Sequence, residues 1–155
     1  MDTPSTIIGL VPLAIFVLPI LYLIVQQNNK QKQGLKNLKN IGNKNNLRLE
    51  KTEVSSNLLL GLDSEAHKLL VVEPVNNMQH RVVDLRKVSR STVNAVAFPN
   101  NQKLIKRVSL DLLNSTGKMD IVFYDDDDDN DNHNAAERLA VAKKWNQLIR
   151  PKLSA

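Results

Sequence analysis

The 155-residue chain contains no cysteine, which excludes a disulfide scaffold and a thiolate metal site and leaves the compartment open. It has no Gly-rich phosphate loop and no G-x-S-x-G elbow. His67, His80 and His133 stand apart in sequence, and none belongs to an H-x-x-x-H or H-E-x-x-H arrangement that would hold zinc. Together these absences leave catalysis without support, so the reading is a non-catalytic protein with no cofactor and no metal site.

A different absence gives the first positive signal. From Thr6 to Val25 the chain reads TIIGLVPLAIFVLPILYLIV, without one charged residue. A helix rising about 1.5 Å per residue covers roughly 30 Å over that length, the thickness of a bilayer's hydrocarbon core. Pro12 and Pro19 would break a soluble helix interior but are tolerated as kinks in a membrane. The preceding MDTPS lacks a positive n-region, and the exit VQQNNKQKQ lacks a small-x-small cleavage pattern. The expectation is therefore an uncleaved single transmembrane helix within an anchor spanning residues 1–26.

Charge sets the orientation. Only Asp2 precedes the span, whereas Lys30, Lys32, Lys36 and Lys39 follow it closely, with Lys44 and Arg48 beyond. Positive charge near a membrane exit is retained inside. This predicts a cell-membrane protein with its N-terminus outside and its C-terminal domain cytoplasmic.

The formal net charge of +5 is unevenly spread. Residues 26–55 hold seven Lys/Arg against Glu50 and Glu53, a net of +5, while residues 56–155 hold fourteen against thirteen, a net of +1. The surplus sits beside the span, where anionic headgroups attract each Lys or Arg by about 1 kcal/mol. A nucleic-acid partner loses its main support.

Residues 27–46, QNNKQKQGLKNLKNIGNKNN, form a basic Asn/Gln/Lys-rich stretch. Leu35, Leu38 and Ile41 recur at threes, which suits a short helix lying on headgroups; Gly34 and Gly42 bracketing the stretch favour a flexible linker. A domain is expected over 47–155. There, short apolar runs alternate with turn residues: LRLEKTEV, NLLLGLD, HKLLVVEP, QHRVVDLRKV, SRSTVNAVAF, LIKRVSLDLLN and MDIVFYD. Six or seven strands with no helical pattern between them predict an antiparallel sheet system, a sandwich or a partly open barrel.

The last element reads differently. In residues 135–150, AAERLAVAKKWNQLIR, Ala135, Leu139, Ala142, Trp145 or Asn146, and Ile149 recur at helical spacing, Asn132 or Asn134 suits the N-cap, and Pro151 ends the helix. Its apolar stripe needs a partner, and the open end of a small β-barrel would accept it. The fold class expected is α+β, mainly β.

Six or seven antiparallel strands closed by one C-terminal helix bearing a single Trp resemble the pleckstrin-homology-like (PH-like) fold. The stretch AERLAVAKKWNQLIR looks like that superfamily's terminal helix, with Trp145 as the inward plug and Leu139 and Ile149 as structural neighbours. KLLVVEP and HRVVDLRKVSRSTV are similar to strands of membrane-anchored bacterial members, with Val83 to Val88 as the V-D-L-x-x-V segment. The resemblance implies a scaffold for protein–protein contact or assembly at the membrane. The loop DSEAHK departs from the phosphoinositide-binding members, since Asp63 and Glu65 face a single Lys68, so headgroup recognition is not carried over.

The acidic tract between Val122 and Glu137 is the remaining candidate. Asp126, Asp128, Asn130 and Glu137 fall at the first, third, fifth and twelfth positions of a calcium loop. Against that, Asp131 stands where Gly is needed, His133 where an apolar residue is usual, and a strand rather than a helix precedes the loop. The tract reads as a solvated connector, with those four residues as weak metal candidates only. Arg81, Arg86, Lys87 and Arg90, with Lys103, Lys106 and Arg107, offer a positive face or an ordinary solvated one. The function expected is a single-pass, membrane-anchored interaction module with an unidentified protein partner. The alternative is a peripheral anionic-lipid or cation sensor that uses the juxtamembrane lysines and the Asp125–Asp131 loop.

Overall fold

The computed structural model describes residues 3–127 and 134–154, with side chains from Ile15 onward. It opens with one long helix, α1 (Thr3–Lys44), and continues with strands β1 (Lys51–Val54), β2 (Leu59–Asp63), β3 (Lys68–Glu73) and β4 (Gln79–Asp84). A 3-10 turn at Leu85–Lys87 leads to β5 (Val88–Phe98), β6 (Asn101–Asn114) and β7 (Gly117–Asp125), and helix α2 (Ala135–Ile149) follows. The molecule is mainly β: a four-stranded sheet in the order β1-β2-β3-β4 and a three-stranded sheet in the order β5-β6-β7, every pairing antiparallel. Among the described residues the two sheets do not close into a barrel.

The stretch expected as a linker is the C-terminal half of α1. Helix continues unbroken to Lys44 and stops in a double hydrogen-bonded cap, in which Asn46 adopts a left-handed φ of 55°. There Leu47 N–H donates to the Gly42 carbonyl at 2.9 Å and Asn46 N–H to that of Asn43 at 3.1 Å. Gly34 and Gly42 are contact points rather than breaks. A Cβ on Gly34 would lie 2.7 Å from Val54 Cγ1, and one on Gly42 would lie 2.9 Å from Leu49 Cδ1. Close approach of helix to sheet lets Leu38, wholly buried, join Leu47, Leu59, Leu70 and Val72, with Ile41, Leu49, Val54 and Met78 around them.

That packing explains the unbroken apolar runs of β2 and β3. Alternation sends Leu58, Leu60, Leu62, Leu69 and Val71 inward, and Leu59, Leu70 and Val72 outward beneath α1. The central strands β2 and β3 are thus covered on both faces, while most of β4 is exposed. The inner core is completed by Val108, Leu110, Leu112, Ile121 and Phe123 from the second sheet and by Ala142, Trp145 and Ile149 from α2. Leu139 packs against this core while remaining half-buried. Asn134 caps α2, accepting from the Ala136 amide at 2.9 Å; Asn132 lies outside the described residues.

Where a barrel would pair β1 with β7, a side chain bridges instead. Arg138, only 3% exposed, donates from Nε to the Phe123 carbonyl of β7 at 3.0 Å and from Nη2 to Ser55 Oγ at 3.2 Å. Its Nη1 lies 3.9 Å from Glu53 Oε1 on β1, and its guanidinium stacks over the Phe123 ring at 5.6 Å. Trp145 Nε1 donates to the other Glu53 oxygen at 3.4 Å. One arginine satisfies groups on both sides of the open seam.

Candidate interaction surface at the helix-entry end

Helix α1 meets the sheet at the end carrying Val54 and Leu59, which is the end holding the β1–β2 loop. Before that contact, every residue from Ile15 to Gln33 is exposed. Phe16 is 73% exposed and Tyr22 67%, values that mark an exposed shaft among the described residues. Among the described residues no helix is long and apolar enough to cross a membrane. The apolar run expected to span begins at Thr6, and its first nine side chains, Thr6 to Ala14, lie outside the described ones. From Gln26 to Gln33 the shaft is polar, and at about 1.5 Å per residue it separates Val25 from Gly34 by roughly 13 Å.

Between this polar segment and β1 lies a groove of about 370 Å³, lined by Asn28, Gln31, Lys32, Leu35, Thr52, Glu53 and Val54. Its floor is an edge strand, since among the described residues β1 pairs only with β2. Ser55 N–H donates to the Leu58 carbonyl at 2.9 Å, which makes Ser55 and Leu58 a hydrogen-bonded pair. Alternation in an antiparallel ladder then aims the backbone of Glu53 and Lys51 at β2, and that of Thr52 and Val54 away from it. Outside the sheet, neither Thr52 nor Val54 makes a backbone hydrogen bond to another described residue. Glu53 is held by Arg138 and Trp145, so Lys32 is the groove's uncompensated charge among the described residues. Sequence reasoning missed this groove because it treated residues 27–46 as separate from the domain. The other lysines that follow the apolar run, Lys30, Lys36 and Lys39, are exposed on α1.

The acidic tract begins as an extension of the second sheet. Asp126 N–H donates to the Lys106 carbonyl at 2.9 Å, and its carboxylate accepts from Tyr124 OH at 3.1 Å. Lys106 Nζ reaches Asp127 at 2.9 Å, and the hydrogen bond and charge of Asp127, with Asp125 and Asp126 nearby, hold the amine above the ordinary lysine range. Arg107 pairs with Asp120 at 2.9 Å and Asp125 at 3.7 Å. Of the calcium-loop candidates, Asp126 is thus engaged by protein groups and Glu137 lies in the first turn of α2. Asp128, Asn130 and His133 lie outside the described residues. Among the described residues no cluster of three or more His, Asp or Glu is placed to hold a metal.

The basic residues considered as one face are dispersed. Arg81 pairs with Glu73 at 2.7 Å on sheet one, whereas Arg86, at the opposite end of that sheet, pairs with Asp84 at 3.6 Å and donates to the Ala66 carbonyl. Lys106 and Arg107 belong to the other sheet and neutralise the aspartates beside them. Asp63, expected as part of an acidic loop, is buried and folds that loop: it accepts from the amides of Arg48 and Ala66, each at 2.8 Å. Burial alone would raise its carboxyl. Hydrogen bonds from Ala66, Arg48 and Glu65, with Lys68 nearby, outweigh burial and hold it below the ordinary aspartate range. His67 contacts the Lys152 carbonyl at 3.3 Å, and His80 is exposed on β4. No protein family, curated protein or solved structure matches the chain.

Proposed function

We propose that this chain is a non-catalytic interaction module, held in the cell membrane by a single span over Thr6–Val25. Its N-terminus lies outside, and its PH-like domain faces the cytoplasm. The observation that carries this reading is the continuity of α1: one helix is exposed and apolar from Ile15 to Val25, polar from Gln26 to Gln33, and packed on the domain from Gly34 onward. Exposed leucine, isoleucine and phenylalanine on all sides of a helix cost free energy in water, and hydrocarbon removes that cost. Lys30, Lys32, Lys36 and Lys39 orient the span. The four- and three-stranded sheets with an inward Trp145 on a C-terminal helix support the PH-like assignment. The partner is a protein, met through a sheet edge or loop.

The test is reconstitution of the full chain into phosphatidylcholine vesicles, with and without phosphatidylglycerol. Retention through alkaline carbonate in both compositions is the expected outcome. Binding that needs the anionic lipid and is released by salt would replace this reading with the lipid-sensor alternative. A cation sensor is disfavoured by the engagement of Asp125, Asp126 and Asp127 with Lys106, Arg107 and Tyr124.

A further inference from the structure

We infer that the groove between α1 and the free edge of β1 binds an extended peptide segment carrying a carboxylate, by adding it as a strand to sheet one. This rests on the interaction-module reading and names its site. On the β1 edge that lines the groove, Thr52 and Val54 each leave one N–H and one C=O pointing away from β2, in the alternating donor and acceptor pattern that another strand completes. A lipid phosphate offers acceptors for the two N–H groups and no donor for the two carbonyls, and headgroup hydroxyls or ammoniums are not held at the alternating spacing of a strand, as a peptide backbone is. Facing the edge, the amides of Asn28 and Gln31 can donate to and accept from a peptide backbone, and Leu35 gives an apolar seat. Charge selects the segment's sign. Glu53 is already satisfied by Arg138 and Trp145, which leaves the ammonium of Lys32 to meet a carboxylate on the incoming strand. The groove's position, beside the polar part of α1 between Val25 and Gly34, suits the juxtamembrane segment of another membrane protein.

The probe is a set of blocked octapeptides alternating Val and Thr, with one Asp placed at each position in turn, beside the same set with Lys. The full-length chain in phosphatidylcholine nanodiscs is titrated with each, and backbone amide shifts and exchange are followed by NMR. Asp peptides are expected to shift and protect the Thr52 and Val54 amides, and Lys peptides to bind at least tenfold more weakly. Thr52→Pro removes an N–H that points away from the β2 ladder, a position where an edge strand tolerates proline, and is expected to weaken binding at least tenfold. Lys32→Glu, an exposed change on α1, is expected to reverse the preference from Asp to Lys and keeps the test intact if the proline variant fails to fold. No binding by either set, or binding indifferent to Lys32→Glu, overturns the inference. Binding that maps to β4 or to the β5–β6 hairpin overturns it while the interaction-module reading stands. The same amides responding to added phosphatidylglycerol without peptide would assign the groove to headgroups and overturn it also.

Discussion

The two halves of α1 share one backbone and differ in what surrounds them. From Ile15 to Val25 apolar side chains occupy every face and are exposed, whereas from Gly34 to Gly42 they occupy one face and are buried or half-buried. The first pattern suits a solvent that is apolar in all directions, and the second suits a single neighbouring sheet. Leu18 and Leu38 are the same residue type in the same helix, 63% and 0% exposed. Helix formation alone therefore says little about α1. What separates its two halves is how the apolar side chains are distributed around it.

The sharpest way to break the comparison is to truncate one leucine from each half. Leu38→Ala opens a cavity among Leu47, Leu59, Leu70 and Val72 and is expected to cost about 3 kcal/mol in urea unfolding followed in detergent. Leu18→Ala is expected to leave domain unfolding within about 0.5 kcal/mol and to act only on insertion. Equal effects would mean that the two halves share one environment.

Arg138→Met probes the side of β1 remote from α1. It leaves Glu53 without its cation and Phe123 without its donor. Removing one partner of a fully buried pair costs about 3–5 kcal/mol. Because the Glu53 side chain keeps 20% exposure, about 2 kcal/mol is expected, measured by the same unfolding.

Gly34→Ala has a smaller expected effect. Alanine favours helix by about 1 kcal/mol, but its methyl would sit 2.7 Å from Val54 Cγ1, and overpacking costs about 1–3 kcal/mol. A net loss of about 1 kcal/mol is expected, relieved when Val54→Ala is added. Gln33→Ala, one residue earlier and exposed, is expected to be neutral or slightly stabilising.

The smallest effect is in pH. The Asp63 carboxyl is held below its unfolded value, so its contribution is fully present above about pH 4 and is lost as pH falls through the lower folded value. Asp63→Asn should flatten that part of the acid-unfolding curve. A curve identical to the parent's would place the acid dependence elsewhere.

Much of the β domain was legible because its signals are local. The alternation Val108, Leu110, Leu112 located β6, and the helical spacing in residues 135–150 located α2. QHRVVDLRKV, read as one run, is two elements: Asp84 accepts from the Arg86 amide at 3.1 Å and turns the chain at Leu85–Lys87 from the first sheet into the second. What could not be read depends on distant partners. Gly34 and Gly42 look like breakers until Val54 and Leu49 are seen against them. The role of Arg138 depends on Glu53, Ser55 and Phe123, although a cation in the first turn of α2 runs against the helix dipole, and that was a signal available in the sequence. The candidate groove was invisible for the same reason as the docking of α1, because it exists only where Asn28, Gln31 and Lys32 stand opposite β1.

Because the chain has no cysteine, a single introduced one reports its own surroundings. The most direct measurement is labelling of Tyr22→Cys, Asn28→Cys and Leu38→Cys in intact membranes with a water-soluble maleimide, with and without urea. The predicted result is that Asn28→Cys reacts at once, Leu38→Cys reacts only in urea, and Tyr22→Cys reacts only after detergent. Ready labelling of Tyr22→Cys in the intact membrane, or of Leu38→Cys without urea, would contradict the division of α1 between hydrocarbon and protein.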